Sequence, residues 1–141
     1  MSGLREVVAG MGGELRTFRD ESGRDLYDLP DAPRPDPDSP APVRLLAGFD
    51  NLLLAYADRT RIMTDDVRRR VCVGDLVDQT VLVDGMASGT WRMDRPAGTL
   101  TVRPFVRLSR ADADAVVAEG LRTLALAAGT TTLHEVCILP S

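Results

Sequence analysis

The chain has 141 residues, a formal net charge of −4 and an apolar content of 44%. That length allows one domain with a real core, or one domain plus a fragment of another, and the second fits better. No apolar run is long enough to cross a bilayer, and the negative balance argues against a free-standing, strongly basic nucleic-acid binder.

All 17 basic residues are arginine. Either a GC-rich coding genome or selection for bidentate phosphate contacts accounts for this, and only the second bears on function. Residues 44–73 hold six Arg against four acids, whereas residues 1–43 hold five against nine and residues 74–141 hold six against eight. Cys72 and Cys137 lack metal-ligand spacing and are expected to be free thiols. The N-terminus carries no basic, apolar leader, so the expected location is cytoplasmic.

In chain order, Ser2 can cap a short helix whose Leu4, Val7, Val8 and Met11 recur at helical spacing, ended by Gly12-Gly13. Strands over 14–18 and 24–29, joined by Asp20-Glu21-Ser22-Gly23, make a β-hairpin. Helix then hairpin is the back half of a winged-helix unit, or an ordinary αββ edge of the main domain. Alone, the piece is too small to bury a core. Residues 30–42, PDAPRPDPDSPAP, hold six of the nine prolines. Proline blocks helix and central strand, so the stretch reads as an extended linker.

Residues 43–63, VRLLAGFDNLLLAYADRTRIM, fit neither a helical stripe nor a clean alternation. They read as a short buried strand, a turn and a second short apolar element. Thr64 is an N-cap for a helix to Arg70, with Asp65-Asp66 at the positive end of its dipole and Arg68, Arg69 and Arg70 at the negative end. Val71 to Leu76 continue as strand or loop around Gly74. Thr80 to Val83, the Asp84-Gly85 turn and Ser88 to Met93 form a hairpin. A third strand over 99–108 follows, with Leu100, Val102 and Phe105 toward the core and a bulge or edge at Pro104. Ser109 and Asp112 make a capping signal for a helix over 109–128 that buries Ala113, Val116, Val117, Leu121, Leu124 and Ala128 and stops at Gly129. Thr130 to Leu139 adds a last strand or a tail.

The predicted class is therefore α+β: a small antiparallel β-sheet or barrel-like domain with a C-terminal-side helix, preceded by a partial winged-helix piece. The divisions are 1–29, the linker 30–42 and 43–141.

Catalytic groupings are not evident. His134 stands alone and reads as a surface residue. Ser39 and Ser88 have no base in sequence context, and the Gly10, Gly12 and Gly13 run follows a helix instead of opening one. No catalytic residue, cofactor or metal is expected. The arginines carry more: Arg59, Arg61, Arg68, Arg69 and Arg70 lie within twelve residues, and Arg92 lies beside Trp91 on the hairpin. Brought to one face, they would bind a phosphate backbone without reading base sequence. The competing reading pairs Asp58 with Arg61 and Asp66 with Arg69 or Arg70 as solvated ion pairs. Trp91 reads as a core residue of its hairpin.

The segments RTFRDESGRDLYDLPDAPRPDPDSPAPVRLLAGFDNLLLAYADRTRI, TVLVDGMASGTWRM and LTVRPFVRLSRADADAVVAEG resemble the C-terminal part of the bacterial winged-helix DNA-binding-domain family. That family includes glycosylases acting on interstrand crosslinks and alkylated bases. The resemblance runs from about Ser2 to about Leu126 and is most specific at Phe49 to Leu54, Ala57 to Arg61, and Val81 to Gly85 with Gly89-Thr90-Trp91. It implies an array of winged-helix units followed by a β-rich, barrel-like domain that helps cradle duplex DNA. Glycosylase members carry a catalytic Gln-x-Gln or Gln-x-Asp motif in an N-terminal winged helix. Here Gln79 is the sole glutamine and Val81 stands two positions on.

The functional expectation is a DNA-binding module that does not catalyse alone. Its partners would be duplex DNA, held weakly and non-specifically, and N-terminal winged-helix units, with no membrane partner. The alternative is a structural or interaction domain that orients those units without touching DNA.

Overall fold

The computed structural model describes residues 3–127 and 134–141. The chain forms two compact units, Met1–Ser39 and Pro40–Ser141, divided inside the proline-rich stretch. Ser2, Ala128, Gly129 and Thr130 to Leu133, on which sequence expectations fell, lie outside the described residues.

The first unit holds helix α1 (Gly3–Gly10), a single 3-10 turn (Gly12–Glu14), and strands β1 (Arg16–Arg19) and β2 (Asp25–Asp28) paired antiparallel. The Asp20 carboxylate closes the hairpin by accepting from the backbone N–H of Ser22 (2.9 Å) and Arg24 (2.8 Å) and from Arg24 Nε (2.7 Å). The Phe18 ring is in contact with the guanidinium groups of Arg16 (5.1 Å) and Arg34 (5.4 Å). Arg34 also donates to Asp28 Oδ2, Leu29 O and Pro30 O, so the start of the proline-rich stretch is tied to the hairpin instead of running free. Val7, one of the apolar residues at helical spacing, is 59% exposed. None of the side chains described in residues 3–39 is buried.

The second unit opens with β3 (Arg44–Leu46), a one-turn helix α2 (Asn51–Leu54) and α3 (Asp65–Val71). A two-residue ladder of β4 (Cys72–Val73) with β5 (Leu76–Val77) turns through Gly74. Strands β6 (Thr80–Val83), β7 (Met86–Asp94) and β8 (Thr99–Pro104), helix α4 (Arg110–Ala127) and β9 (Glu135–Ile138) complete it. The five-stranded sheet has the order β3-β6-β7-β8-β9. It is open, with β3 and β9 at its edges, and no closed barrel forms among the described residues. Nor is it purely antiparallel, because β9 runs parallel to β8. The physical reason is α4, whose 18 residues cross the sheet and return the chain to the end where β8 began.

Strand alternation splits the interior in two. Leu45, Val81, Trp91, Leu100 and Val102 meet Val116 and Leu124 of α4 on one face. The opposite face carries Leu46, Leu82 and Ala87, covered by Leu53, Met63, Val71 and Val77 from α2, α3 and their loops. Trp91 is core, as expected, and its Nε1–H donates to Leu46 O across the sheet (2.8 Å). Asp84 (φ 48°) and Gly85 (φ 74°) form the two-residue turn that the Asp-Gly pair predicts. The strand irregularity falls not at Pro104 but on β7, where the register shifts between Val81 and Leu82 and passes over Ser88. Pro104 simply ends β8, beyond the reach of β9 pairing, which covers Thr99 to Val102.

Helix α4 starts as its cap predicts: Ser109 Oγ accepts from Asp112 N (3.1 Å) and donates to Asp112 Oδ2 (2.6 Å). Its packed face buries Val116 and Leu124 as expected and departs at one position. Leu121 is 39% exposed, and Gly120 is buried in its place. The sheet lies so close that only a residue without a Cβ fits beside Val136.

Candidate functional site

Helix α3 is held at its start by Thr64 Oγ1, which accepts from Val67 N (3.3 Å). Helical spacing then pairs Arg68 with Asp65 (3.6 Å) and Arg69 with Asp66. These are exposed pairs worth at most about 1 kcal/mol. Arg70, one residue on, points elsewhere: its guanidinium lies 5.5 Å from the centroid of Phe105.

Arg59 is half-buried and serves the backbone. Its Nε donates to Tyr56 O (2.9 Å) and Nη2 to Leu54 O (3.3 Å), capping the carbonyl end of α2, while Nη1 lies 3.9 Å from Cys72 Sγ. Asp58 Oδ1 accepts from the Thr60 N–H and hydroxyl and so shapes the same turn. Arg59 and Arg68 line one small cavity of about 170 Å³ with Asp58 and Asp65. Arg61 is exposed at the neighbouring turn.

A different cleft holds the remaining arginines. Beyond the area covered by α2 and α3, the same sheet face continues as Thr90 and Arg92 on β7 and Thr101 and Arg103 on β8, with Thr90 opposite Arg103 and Arg92 opposite Thr101. Arg70 and Phe105 wall one side and Leu139 another, enclosing about 450 Å³. Arg92 donates to Asp78 Oδ1 (2.7 Å) and to Trp91 O (3.1 Å). The structure thus brings Arg70 and Arg92 together with Arg103, and places Arg59 and Arg68 at a separate cavity. Arg103 was not among the residues singled out from sequence. Its signal was present in the alternation of Leu100 and Val102 with Thr99, Thr101 and Arg103, which sends the arginine to the side opposite the core.

His134, expected at the surface, is half-buried, and its Nε2 is enclosed without a hydrogen-bond partner among the described residues. Ser88 Oγ donates to Met86 O (2.9 Å), serving the bulge. Cys72 and Cys137 are free, as expected, and burial together with the neighbouring Glu135 carboxylate raises the Cys137 thiol above its ordinary value. No group of His, Cys, Asp and Glu among the described residues is placed to hold a metal ion.

Fold and site together define an α+β protein whose polar cleft is built from guanidinium groups, the chemistry of an oxyanion receptor. A family model described as DNA glycosylase AlkZ-like matches residues 1–126, and the chain belongs to that family. Among solved structures it is similar to the Streptomyces sahachiroi DNA glycosylase AlkZ, with a TM-score of 0.73 and 27% identity. The match covers 98% of this chain and 37% of that one, so the chain spans little more than a third of that relative's length. No curated protein matches it.

Proposed function

We propose that the chain is the DNA-contacting C-terminal portion of an AlkZ-like glycosylase, which grips duplex backbone through arginines and does not excise a base on its own. In this reading residues 1–29 are the tail of a winged-helix unit, and Arg61, Arg68, Arg69, Arg70 and Arg92 face phosphate while Arg59 holds the turn after α2 through Leu54 O and Tyr56 O. The observation that carries the proposal is membership of a DNA glycosylase family over residues 1–126, in a chain that gathers Arg70, Arg92 and Arg103 at one cleft despite a net charge of −4. Backbone contact of this kind gives weak binding with little base preference and a steep loss of affinity as salt rises. Fluorescence anisotropy of labelled duplexes of unrelated sequence, titrated at several salt concentrations, tests it. A flat salt response would refute it.

A second reading rests on exposed apolar side chains around α2 and the β4–β5 hairpin, among them Phe49 (54%), Val73 (62%) and Leu76 (64%). Such a surface suits an interaction domain that orients winged-helix units without touching DNA. The combined change Arg61→Ala, Arg68→Ala, Arg69→Ala and Arg70→Ala separates the two, since only the first reading expects lost DNA affinity with the fold retained.

A further inference from the structure

The six arginines read from sequence do not stand in equal positions. Arg68 and Arg69 sit beside carboxylates on their own helix, and Arg59 caps backbone carbonyls. The cleft on the open sheet face is different. Arg70 lies over the Phe105 ring, 5.5 Å from its centroid, and its guanidinium has no carboxylate or carbonyl partner among the described residues. Arg103 has no carboxylate or carbonyl partner among the described residues and stands on a rigid strand, with Pro104 behind it and Gly89 packed against its backbone. Arg92, diagonally across the β7–β8 ladder from Arg103, is held by Asp78, the one acid lining the cleft. Three guanidinium groups against one carboxylate leave the cleft with a formal charge of +2. Thr90 and Thr101 add hydroxyl groups to its floor.

We infer that this cleft is a phosphate seat for the nucleic-acid backbone, in which Arg103 and Arg70 grip the phosphodiester oxygens and Asp78 tunes affinity by holding Arg92 partly neutralised. The inference rests on the DNA-binding reading above and adds to it the seat itself, the ligand role of Arg103 and the opposing role of Asp78. A guanidinium fork matches two oxygens of a phosphodiester, and two forks fixed on different elements fix the phosphate between them. Asp78 lies where a bound phosphate would repel it, so its charge sets an upper limit on how tightly the backbone is held and keeps adventitious anions weak.

The test uses the full chain and a short labelled duplex, with salt titrations of wild type, Arg103→Ala, Arg70→Ala, Asp78→Asn and the remote pair Arg68→Ala with Arg69→Ala. Losing one phosphate contact reduces the magnitude of the salt slope by about one and weakens binding about tenfold at low salt. Arg103→Ala and Arg70→Ala should each do this. Asp78→Asn keeps a hydrogen-bond acceptor for Arg92 yet removes a negative charge, so it should tighten binding severalfold, a direction that loss of structure cannot produce. Circular dichroism and Trp91 fluorescence confirm that each variant folds. Duplex binding that is unchanged in Arg103→Ala and Asp78→Asn but lost in the remote pair would overturn the seat and leave the DNA reading standing. If wild type binds no duplex, both fall for DNA. Titration of inorganic phosphate, followed by the arginine Nε–H resonances, then shows whether an isolated oxyanion is taken instead; shifts confined to Arg70 and Arg103 are the expected result, and shifts spread over all arginines would overturn the assignment.

Discussion

Gly120 is where α4 comes closest to the sheet, and the contact can be read as a sign change. A Cβ built there would lie 2.8 Å from Val136 Cγ2 and 3.1 Å from Cγ1, with Leu100 Cδ2 at an ordinary 3.6 Å. Replacing Gly120 by alanine sets two effects against each other. Helix propensity favours alanine by about 1 kcal/mol. Crowding a β-branched side chain with stiff χ1 costs ~1–3 kcal/mol. Crowding wins, and Gly120→Ala should destabilise the second unit by about 1 kcal/mol. Val136→Ala removes both crowding methyls and, since Val136 is only half-buried, should cost about 1 kcal/mol by itself. In that background the added methyl meets open space and Leu100, so Gly120→Ala should stabilise by about 1 kcal/mol. The coupling is then about 2 kcal/mol, well beyond the ~0.3–0.5 kcal/mol within which independent sites add. Urea unfolding of the four proteins, followed by fluorescence of Trp91, measures it; this is the sole tryptophan and belongs to the core cluster that α4 covers. Equal effects of Gly120→Ala in both backgrounds would refute the packing argument.

The other expectations concern single contacts. Trp91→Phe keeps an aromatic ring in the core but leaves Leu46 O without its donor, so it should cost ~1–3 kcal/mol in urea unfolding followed by circular dichroism. Thr64→Ala removes the cap of α3 and should cost about 1 kcal/mol, with Thr64→Ser restoring most of it. Asp20 has its carboxyl held below the ordinary range, first by the backbone N–H of Arg24 and then by its side chain and Ser22. A depressed carboxylate stabilises the fold above its unfolded value, and that contribution is lost as pH falls through the lowered one. Cross-strand signals between Phe18 and Leu26, followed by NMR, should therefore weaken on acidification in wild type. In Asp20→Asn they should be weaker at neutral pH and less sensitive to acid, the Arg34–Asp28 and Arg19–Asp25 pairs still titrating. Cys137, with its thiol raised by burial and by Glu135, should alkylate slowly at neutral pH, and Glu135→Gln should bring the onset of reaction to lower pH.

Local signals in the sequence were strong where one residue type satisfies one backbone need. The Asp84-Gly85 turn, the Thr64 cap and the Ser109 to Asp112 box each form as their chemistry requires. The α+β class and the core roles of Trp91, Leu100 and Val102 follow from alternation along short strands. The direction of β9 could not be read locally. A strand looks the same parallel or antiparallel, and only the crossing of α4 decides which end of the sheet it re-enters. Of the two expected forms, sheet or barrel-like domain, the open sheet is the one formed, because α4 and β9 add to one edge instead of closing the circle. Leu121 failed as a core residue for a related reason: the closeness of Val136 turns the helix so that Gly120 faces the sheet.

The arginines show the same division between chain and fold. Residue type and spacing determined that guanidinium groups would crowd the region around α3, and that Asp65 and Asp66 would sit within helical reach of Arg68 and Arg69. Which arginines are neutralised, which cap a carbonyl and which stand free on the open sheet face was decided only when β7 and β8 paired in register and set Arg103 diagonally from Arg92, with the end of α3 beside them. Charge is a property of the residue and is written in the sequence. The distance between two charges far apart along the chain is set by strand register and helix packing, and these exist only once the chain has folded.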